Sequence, residues 1–391
     1  MMYQVLGRVQ RLPAVLAASA IVATSLLVAP GSTFAAGTCP LPSVLESGST
    51  TVYPALQAGN SALQTALGCS VSLVASGSGA GINDAISGAS QIAASSTPLS
   101  GTQPASLYAW QIGGDAMVIA MNANTAASLG VTQITKAQVA QIWTSTAAGG
   151  VSNWSSFGYG SGTIVPRGRD GNTSGSYKDF YQKFGITQTA MDATITATGL
   201  PLLQTSQDEA TAACNDPSDI VYTSLANLQA FGPAGQGCLV ALALSADGSA
   251  GSYVMPTVTS VQTGTYPVPR QLFLVMKKWS LIGSATTTDS SAEVKAQDML
   301  NFYMSSAGQA FVGQAGFVPG TIPAAKPIPD FDVNLDGAVG LGDIGNILGR
   351  WGATSPCKGW IRADVANQGA VGLSGIGQVL AHWGQKGFVA P

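Results

Sequence analysis

The sequence predicts an α/β protein followed by a small all-α module, and three observations carry that reading. Over residues 37–319, short apolar runs alternate with stretches of helical periodicity, the pattern of a sheet with crossover helices. Residues 319–329 (Pro-Gly-Thr-Ile-Pro-Ala-Ala-Lys-Pro-Ile-Pro) form a Pro-rich stretch that reads as a semi-rigid linker. Beyond it the chain repeats itself. Gly337-Ala338-Val339-Gly340-Leu341 recurs as Gly369-Ala370-Val371-Gly372-Leu373, and Ile344, Leu348, Trp351 and Gly352 recur as Ile376, Leu380, Trp383 and Gly384.

Within the α/β region, 71–75 and 116–121 read as buried strands. Residues 136–144 read as a helix with Ala137, Val139, Ala140 and Trp143 on one face. Trp143 and Trp154 read as core residues, Lys178 as a solvated helix residue, and Arg270 as structural, near a hinge. Each C-terminal repeat reads as a loop leading into an amphipathic helix that ends in Trp-Gly. Two such helices bury their apolar stripes against each other, packed by Trp351 and Trp383.

With 391 residues the chain has room for two or three domains. Only 9% of residues are charged, against about 25% in an ordinary domain, so the surface relies on Ser, Thr, Asn, Gln and Gly. A formal net charge of −3 offers no basic stripe for nucleic acid.

Residues 1–36 read as an export signal. Arg8 and Arg11 precede an apolar run over 14–28, and Thr33-Phe34-Ala35 places small residues for cleavage after Ala35 or Ala36. The apolar run is too short to span a membrane, and Ala36-Gly37-Thr38 before Cys39 is a poor lipidation site. Export permits disulfides. Local pairing of Cys39 with Cys69 and of Cys214 with Cys238 is expected, with Cys357 left over. One histidine, His382, and no Cys-x-x-Cys argue against a zinc site, and His382 reads as a surface side chain.

Three Gly/Ser/Thr loops look suited to one tetrahedral anion: Gly48-Ser49-Thr50-Thr51, then 76–81 with Ser78, then 167–176 with Arg167 and Arg169. They offer unhindered N–H groups, hydroxyl donors and guanidinium forks. In an α/β fold such loops follow strands and open helices, where free N–H groups and the helix dipole face an anion.

The module carries a different signal. Asp332, Asn334 and Asp336 stand at positions 1, 3 and 5 of a twelve-residue loop, the Ala338 carbonyl at 7 and Asp343 at 12, with Gly337 at the sharp turn. These are hard oxygen ligands in the calcium spacing of an EF-hand. The second copy keeps Asp364, but Ala366, Gln368 and Gly375 replace the other ligands, so one calcium site and one empty or very weak loop are expected. The tandem, over residues 328–384, resembles a dockerin type I domain. That family docks on cohesin modules in a calcium-dependent way, so a cohesin-like partner is implied.

Eight motifs in order extend the anion reading. They run from 46–54 through 76–82, 94–99, 113–122, 134–143 with Asn153-Trp154, the Arg169 loop into 177–180, and 266–270 to 307–319. Together they resemble the phosphate-binding proteins of ABC importers, the PstS-like family. The resemblance implies a type II-like periplasmic-binding-protein fold: two α/β lobes closing over a ligand at a hinge, without enzymatic activity. Lobe 1 would hold about 37–110 and 255–319, and lobe 2 about 111–254. The calcium module would occupy 330–391.

Carried across, Ser49, Thr50, Thr51 and Ser78 would donate from the first lobe, and Ser174, Gly175 and Ser176 from a helix N-terminus in the second. Arg169, or else Arg167, would supply a bidentate charged contact, with Asp170 holding it in place. Ser96 stands where well-studied members carry Asp. A carboxylate there demands a protonated ligand, whereas serine can donate or accept. Phosphate is therefore expected, with sulfate, molybdate or phosphonate as alternatives. The implied partners are an ABC permease or, through the module, a surface or extracellular complex, with the protein a monomer. A secreted phosphatase is the rival enzyme reading, opposed by the absence of histidine from the large domain.

Overall fold

The computed structural model describes residues 43–144, 150–171, 173–249, 251–277, 292–322, 326–327, 329–334, 336–354, 361–366 and 368–387. The segment expected to be an export signal, Cys39, Cys357 and part of the linker lie outside them.

The chain opens with β1 (Val44–Gly48), α1 (Tyr53–Leu67), β2 (Val71–Val74), α2 (Ser78–Ser87), β3 (Ile92–Ser95), α3 (Gln103–Ser106) and β4 (Leu107–Ala116). It continues with β5 (Val118–Asn122), α4 (Ala123–Leu129), β6 (Gln133–Thr135), α5 (Lys136–Ile142), β7 (Val165–Pro166), α6 (Gly175–Phe184), α7 (Gln188–Ala197) and α8 (Ser206–Asn215). Then come β8 (Asp219–Thr223), α9 (Leu225–Phe231), β9 (Leu239–Ala241), β10 (Ala243–Ser245) and α10 (Val258–Gln262). The chain returns through β11 (Pro269–Lys277), α11 (Ala292–Tyr303), α12 (Ser306–Gln314) and β12 (Val318–Pro319), and ends in α13 (Leu341–Gly349) and α14 (Leu373–Ala381).

These elements make two lobes. A six-stranded sheet in the order β12-β4-β11-β3-β1-β2 forms the first, and a four-stranded sheet, β7-β8-β5-β9, with the pair β10-β6 forms the second. β1 runs parallel to β2 and β3, so the loops after these strands open at one sheet edge. Separate apolar cores support the lobes, one around Leu56, Trp110 and Leu274, the other around Trp143, Phe180 and Tyr222. Trp143 and Trp154 are buried as expected. Trp143 packs edge-on to Phe180, which stacks on Tyr222 at 4.2 Å.

The crossing between lobes differs from expectation. β4 pairs with β11 as far as Ala116, so the chain changes lobe at Met117 rather than near residue 111. Met117 N–H donates to the Val268 carbonyl (3.0 Å), so the outgoing and returning segments lie side by side. β2 is an edge strand with Val74 exposed, not a buried one. The buried face of α5 uses Val139 and Ile142 with Trp143, while Ala137 is exposed. Cys214 and Cys238 are joined. Cys69 is a free thiol buried in the first core, so its expected pairing with Cys39 does not hold. No helix among the described residues is long and apolar enough to cross a membrane.

The module has its own core of Val333, Val339, Ile347, Ala363, Val371 and Val379. Its two halves are related by a pseudo-twofold axis. Val339 N–H donates to the Gln385 carbonyl and its own carbonyl accepts from Gly384. Val371 N–H donates to Ala353 and its carbonyl accepts from Gly352, the same pairings one repeat apart. Trp351 and Trp383 do not pack the hairpin; they are 54% and 52% exposed. Each helix has only nine residues, with apolar side chains on two faces, and the core takes Ile347 and Val379 instead. His382 is half-buried and stacks on Phe331 at 3.8 Å, with Nδ1 2.8 Å from the Gln378 carbonyl.

Candidate functional site

The anion loops converge. Ser49 N–H donates to the Ala94 carbonyl at the end of β3, fixing the loop after β1 against the sheet. Ser49 Oγ then accepts from the N–H groups of Thr51 (3.2 Å) and Val52 (3.3 Å), so this hydroxyl shapes the entry to α1 while these bonds leave its own proton free to donate. Thr50 and Thr51 point inward. Thr51 Oγ1 shares hydrogen bonds with Ser176 Oγ (3.2 Å) and Ser206 Oγ (2.8 Å), and Thr50 Oγ1 with Ser206 Oγ (3.4 Å). Ser176 and Ser206 belong to the second lobe, so the cluster spans the cleft.

The local sequence explains each contributor. Ser174 caps α6, its Oγ accepting from Tyr177 N–H (3.1 Å), which leaves Gly175 and Ser176 in the first turn, where a helix has no internal acceptors for its N–H groups. A side chain at Gly175 would meet Ser78: an added Cβ would lie 2.6 Å from both Cβ and Oγ, so only glycine allows the approach. Thr205 and Asp208 form a capping box that starts α8 and sets Ser206 inward. Its N–H donates to Thr50 Oγ1 (3.4 Å). Ser78 opens α2 and is tied to Ser96, sharing a hydroxyl bond of 3.3 Å and accepting from Ser96 N–H at 3.2 Å. The starts of α1, α6 and α8 thus meet here, with the start of α2 against that of α6 through Ser78 and Gly175, and each brings the positive end of a helix dipole.

Two guanidinium groups complete it. Arg169, 2% exposed, donates from Nη1 to Ser206 Oγ (3.1 Å) and from Nη2 to Thr50 Oγ1 (2.8 Å) and the Gln204 carbonyl (2.8 Å). Arg167 is committed elsewhere, its Nη1 lying 2.6 Å from Asp219 Oδ2 and its Nη2 donating to the Pro201 carbonyl. The geometry therefore favours Arg169 over Arg167. Gln204 and Ser206 hold that fork, and the Asp170 carbonyl accepts from Ser174 N–H.

Arg270, expected only as a structural residue, reaches the cluster. Its Nη1 donates to Ser176 Oγ (2.8 Å), while its Nε binds Asp115 Oδ2 (2.7 Å). Asp115 Oδ1 accepts from Leu225 N–H (2.8 Å). Burial holds the Asp115 carboxyl above its ordinary range, with Arg270 pulling it back. The sequence reading missed Ser206 and Arg270. The helix-start pattern Thr205-Ser206-Gln207-Asp208 was a usable signal for Ser206; nothing local marked Arg270.

In the module, Asp332 and Asp343 are fully buried. Asp332 accepts from the N–H groups of Asp336 (3.1 Å) and Gly337 (2.9 Å). Asp343 accepts from Val333 (2.6 Å), Asn334 (3.1 Å) and Gly340 (2.6 Å). Gly337 has φ 90°, which side chains disfavour. Asp332 is pushed up to about 6 by burial, with the charges of Asp343 and Asp336 adding to it and Arg362 opposing. The donor chemistry suits a hard cation. Among the described residues, however, no three acidic, thiol or imidazole groups close up as a metal centre. The second loop is held the same way, Asp364 accepting from Gln368 (3.0 Å) and Gly369 (2.6 Å) N–H groups.

A family model described as a PBP superfamily domain matches residues 30–304. No curated protein sequence matches the chain. Among solved structures, the fold is similar to a phosphate ABC transporter substrate-binding protein with bound phosphate from Clostridium perfringens. The TM-score is 0.58 and the identity 23%, over 72% of this chain and 100% of that one. It is also similar to an ABC-type phosphate transport receptor from Vibrio cholerae, with a TM-score of 0.52 and 18% identity, over 71% of this chain and 100% of that one. At these identities the likeness establishes the fold.

Proposed function

The chain belongs to the PBP superfamily, and from that premise we propose that it is an exported, non-enzymatic solute-binding protein that closes its two lobes on inorganic phosphate. One observation carries this reading: the starts of α1, α6 and α8, a knot of hydroxyls from both lobes and the forks of Arg169 and Arg270 meet in one buried cluster. The hydroxyls are rotatable, so their protons can turn from one another to an oxyanion. The amides and guanidiniums supply fixed positive potential at no further cost in ordering. Differential affinity for the closed arrangement is what would drive closure. The resemblance to phosphate importer proteins, and the two solved structures, favour phosphate and an ABC permease as recipient.

Ser96 sets the selectivity. Its hydroxyl can donate to a fully deprotonated anion, where a carboxylate would repel it. The expected result is therefore one oxyanion per chain by titration calorimetry, with phosphate bound and sulfate competing within about tenfold, a gap of roughly 1.4 kcal/mol. Heat from neither anion refutes the reading. Sulfate exclusion by a factor of many hundreds refutes the role given to Ser96.

The C-terminal module is read as a calcium-binding, dockerin-like docking unit for a cohesin-like partner. Asp332, Asn334, Asp336, the Ala338 carbonyl and Asp343 would hold the ion, which would neutralise the loop's crowded carboxylates. Favouring a docking role is a duplicated apolar face: Leu341 and Leu373 are each 74% exposed, and Leu348, Trp351, Leu380 and Trp383 are all more than half exposed. Calcium titrated into the chain, followed by tryptophan fluorescence, should show one site that disappears in Asp332→Ala. Two equivalent sites would contradict the reading of the second loop.

A further inference from the structure

The oxyanion cluster has an acidic neighbour that the binding reading leaves unused. Glu209 lies on α8 at i+3 from Ser206, one turn along the same helix. It is 1% exposed, and neither carboxyl oxygen has a hydrogen-bond partner. Arg169 Nε is likewise buried without a partner. Tyr222 Oη, which accepts from Arg169 N–H (3.3 Å), belongs to the same neighbourhood. An unpaired buried carboxyl is costly, more so when ionised, which makes this an odd place for a merely structural glutamate.

We propose that Glu209 is a positioning and specificity residue of the oxyanion site, carrying a proton while the anion is bound, so that capture weakens once Glu209 is ionised in the free protein. The proposal rests on the oxyanion reading. Burial pushes Glu209 up to about 8, with Arg169 and then Arg270 pulling it down and Asp208 pushing it up. Helix α8 packs on β8, β5, β9 and α9. Of these, β8 alone brings titratable groups, Tyr222 and Asp219, and Asp219 is paired with Arg167. An anion arriving beside Arg169 repels the ionised form of Glu209 and raises its titration further. Below about pH 8 the carboxyl is neutral with or without ligand, so affinity is insensitive to it. Above that, binding must take up a proton, and affinity falls by up to about tenfold per pH unit.

The test uses the full chain with inorganic phosphate as the probe. Dissociation constants are measured from pH 6.5 to 9.5 for the wild type and Glu209→Gln. The anion's own ionisation is common to both and cancels in the ratio. The two should coincide at the acid end, with the wild type about tenfold weaker than the variant near pH 9. The chain has three glutamates, Glu46, Glu209 and Glu293. Selective carboxyl labelling therefore reads Glu209 directly, without reliance on a folded variant. Its midpoint should climb when phosphate is added. Parallel pH profiles, or a Glu209 signal that is ionised at pH 7 in the loaded protein, overturn the proposal and leave the oxyanion reading intact. Absence of phosphate binding by the wild type at every pH overturns both.

Discussion

Arg169→Ala abolishes useful oxyanion binding, weakening it on the order of 100- to 1000-fold, the loss of one partner of a buried charged contact. Arg169, like Arg270, is a guanidinium that joins the lobes. It reaches Thr50 of the first lobe from a loop of the second, and Gln204 and Ser206 hold its fork in register. Lysine does not replace it, because a single ammonium cannot engage Thr50 and Ser206 and still present a planar fork to an anion. Arg167→Ala, two residues away, should leave affinity within about threefold of wild type, since its guanidinium is spent on Asp219 and Pro201. Measured by calorimetry with phosphate, the pair of variants separates the two arginines that the sequence left open. Equal losses in both would mean that the Arg169 loop is rearranged in the bound state.

Asp115→Ala costs about 3–5 kcal/mol of folding stability, read by denaturant unfolding, the largest stability effect expected in the chain. Asp115 and Arg270 have side chains 0% and 1% exposed, with Nε 2.7 Å from Oδ2. Removing the acid leaves a buried guanidinium without its counter-charge and deprives the Leu225 N–H at the start of α9 of its acceptor. The pair sits at the crossing of the lobes. Asp115 is near the end of β4, and Arg270 near the start of β11 opposite it in register. One residue thus ties the hinge to Ser176 in the cluster. A loss below about 1 kcal/mol would mean that Arg270 relaxes to solvent and that the pair does not organise the hinge.

How much of this was legible in the sequence follows from distance along the chain. Ser174 with Gly175 and Ser176 announces itself because the cap, the glycine and the donor lie within three residues. The Gly48 loop is legible for the same reason. The α/β alternation and the repeat were legible because both are periodic. Arg270 was not, since its partner Ser176 lies far off in sequence and the two meet only because β11 returns beside β4. The capping box before Ser206 is local, but the same device starts α10, so it marks a helix start without saying where that start points. The module's core went astray because helical periodicity does not choose between two apolar faces of a nine-residue helix. Ile347 and Val379 went inward, and Leu348, Trp351 and their repeats outward. Cys69 is a free thiol in the first core, a state that spacing along the chain does not encode.

The central claim is that the cluster of Thr50, Thr51, Ser176, Ser206 and Arg169 is the oxyanion site. Its most direct test is phosphate binding measured side by side on the wild type and Arg169→Ala at pH 7. The account predicts one phosphate per wild-type chain and none detectable on the variant at the same concentrations. Phosphate bound by Arg169→Ala as tightly as by the wild type would contradict it.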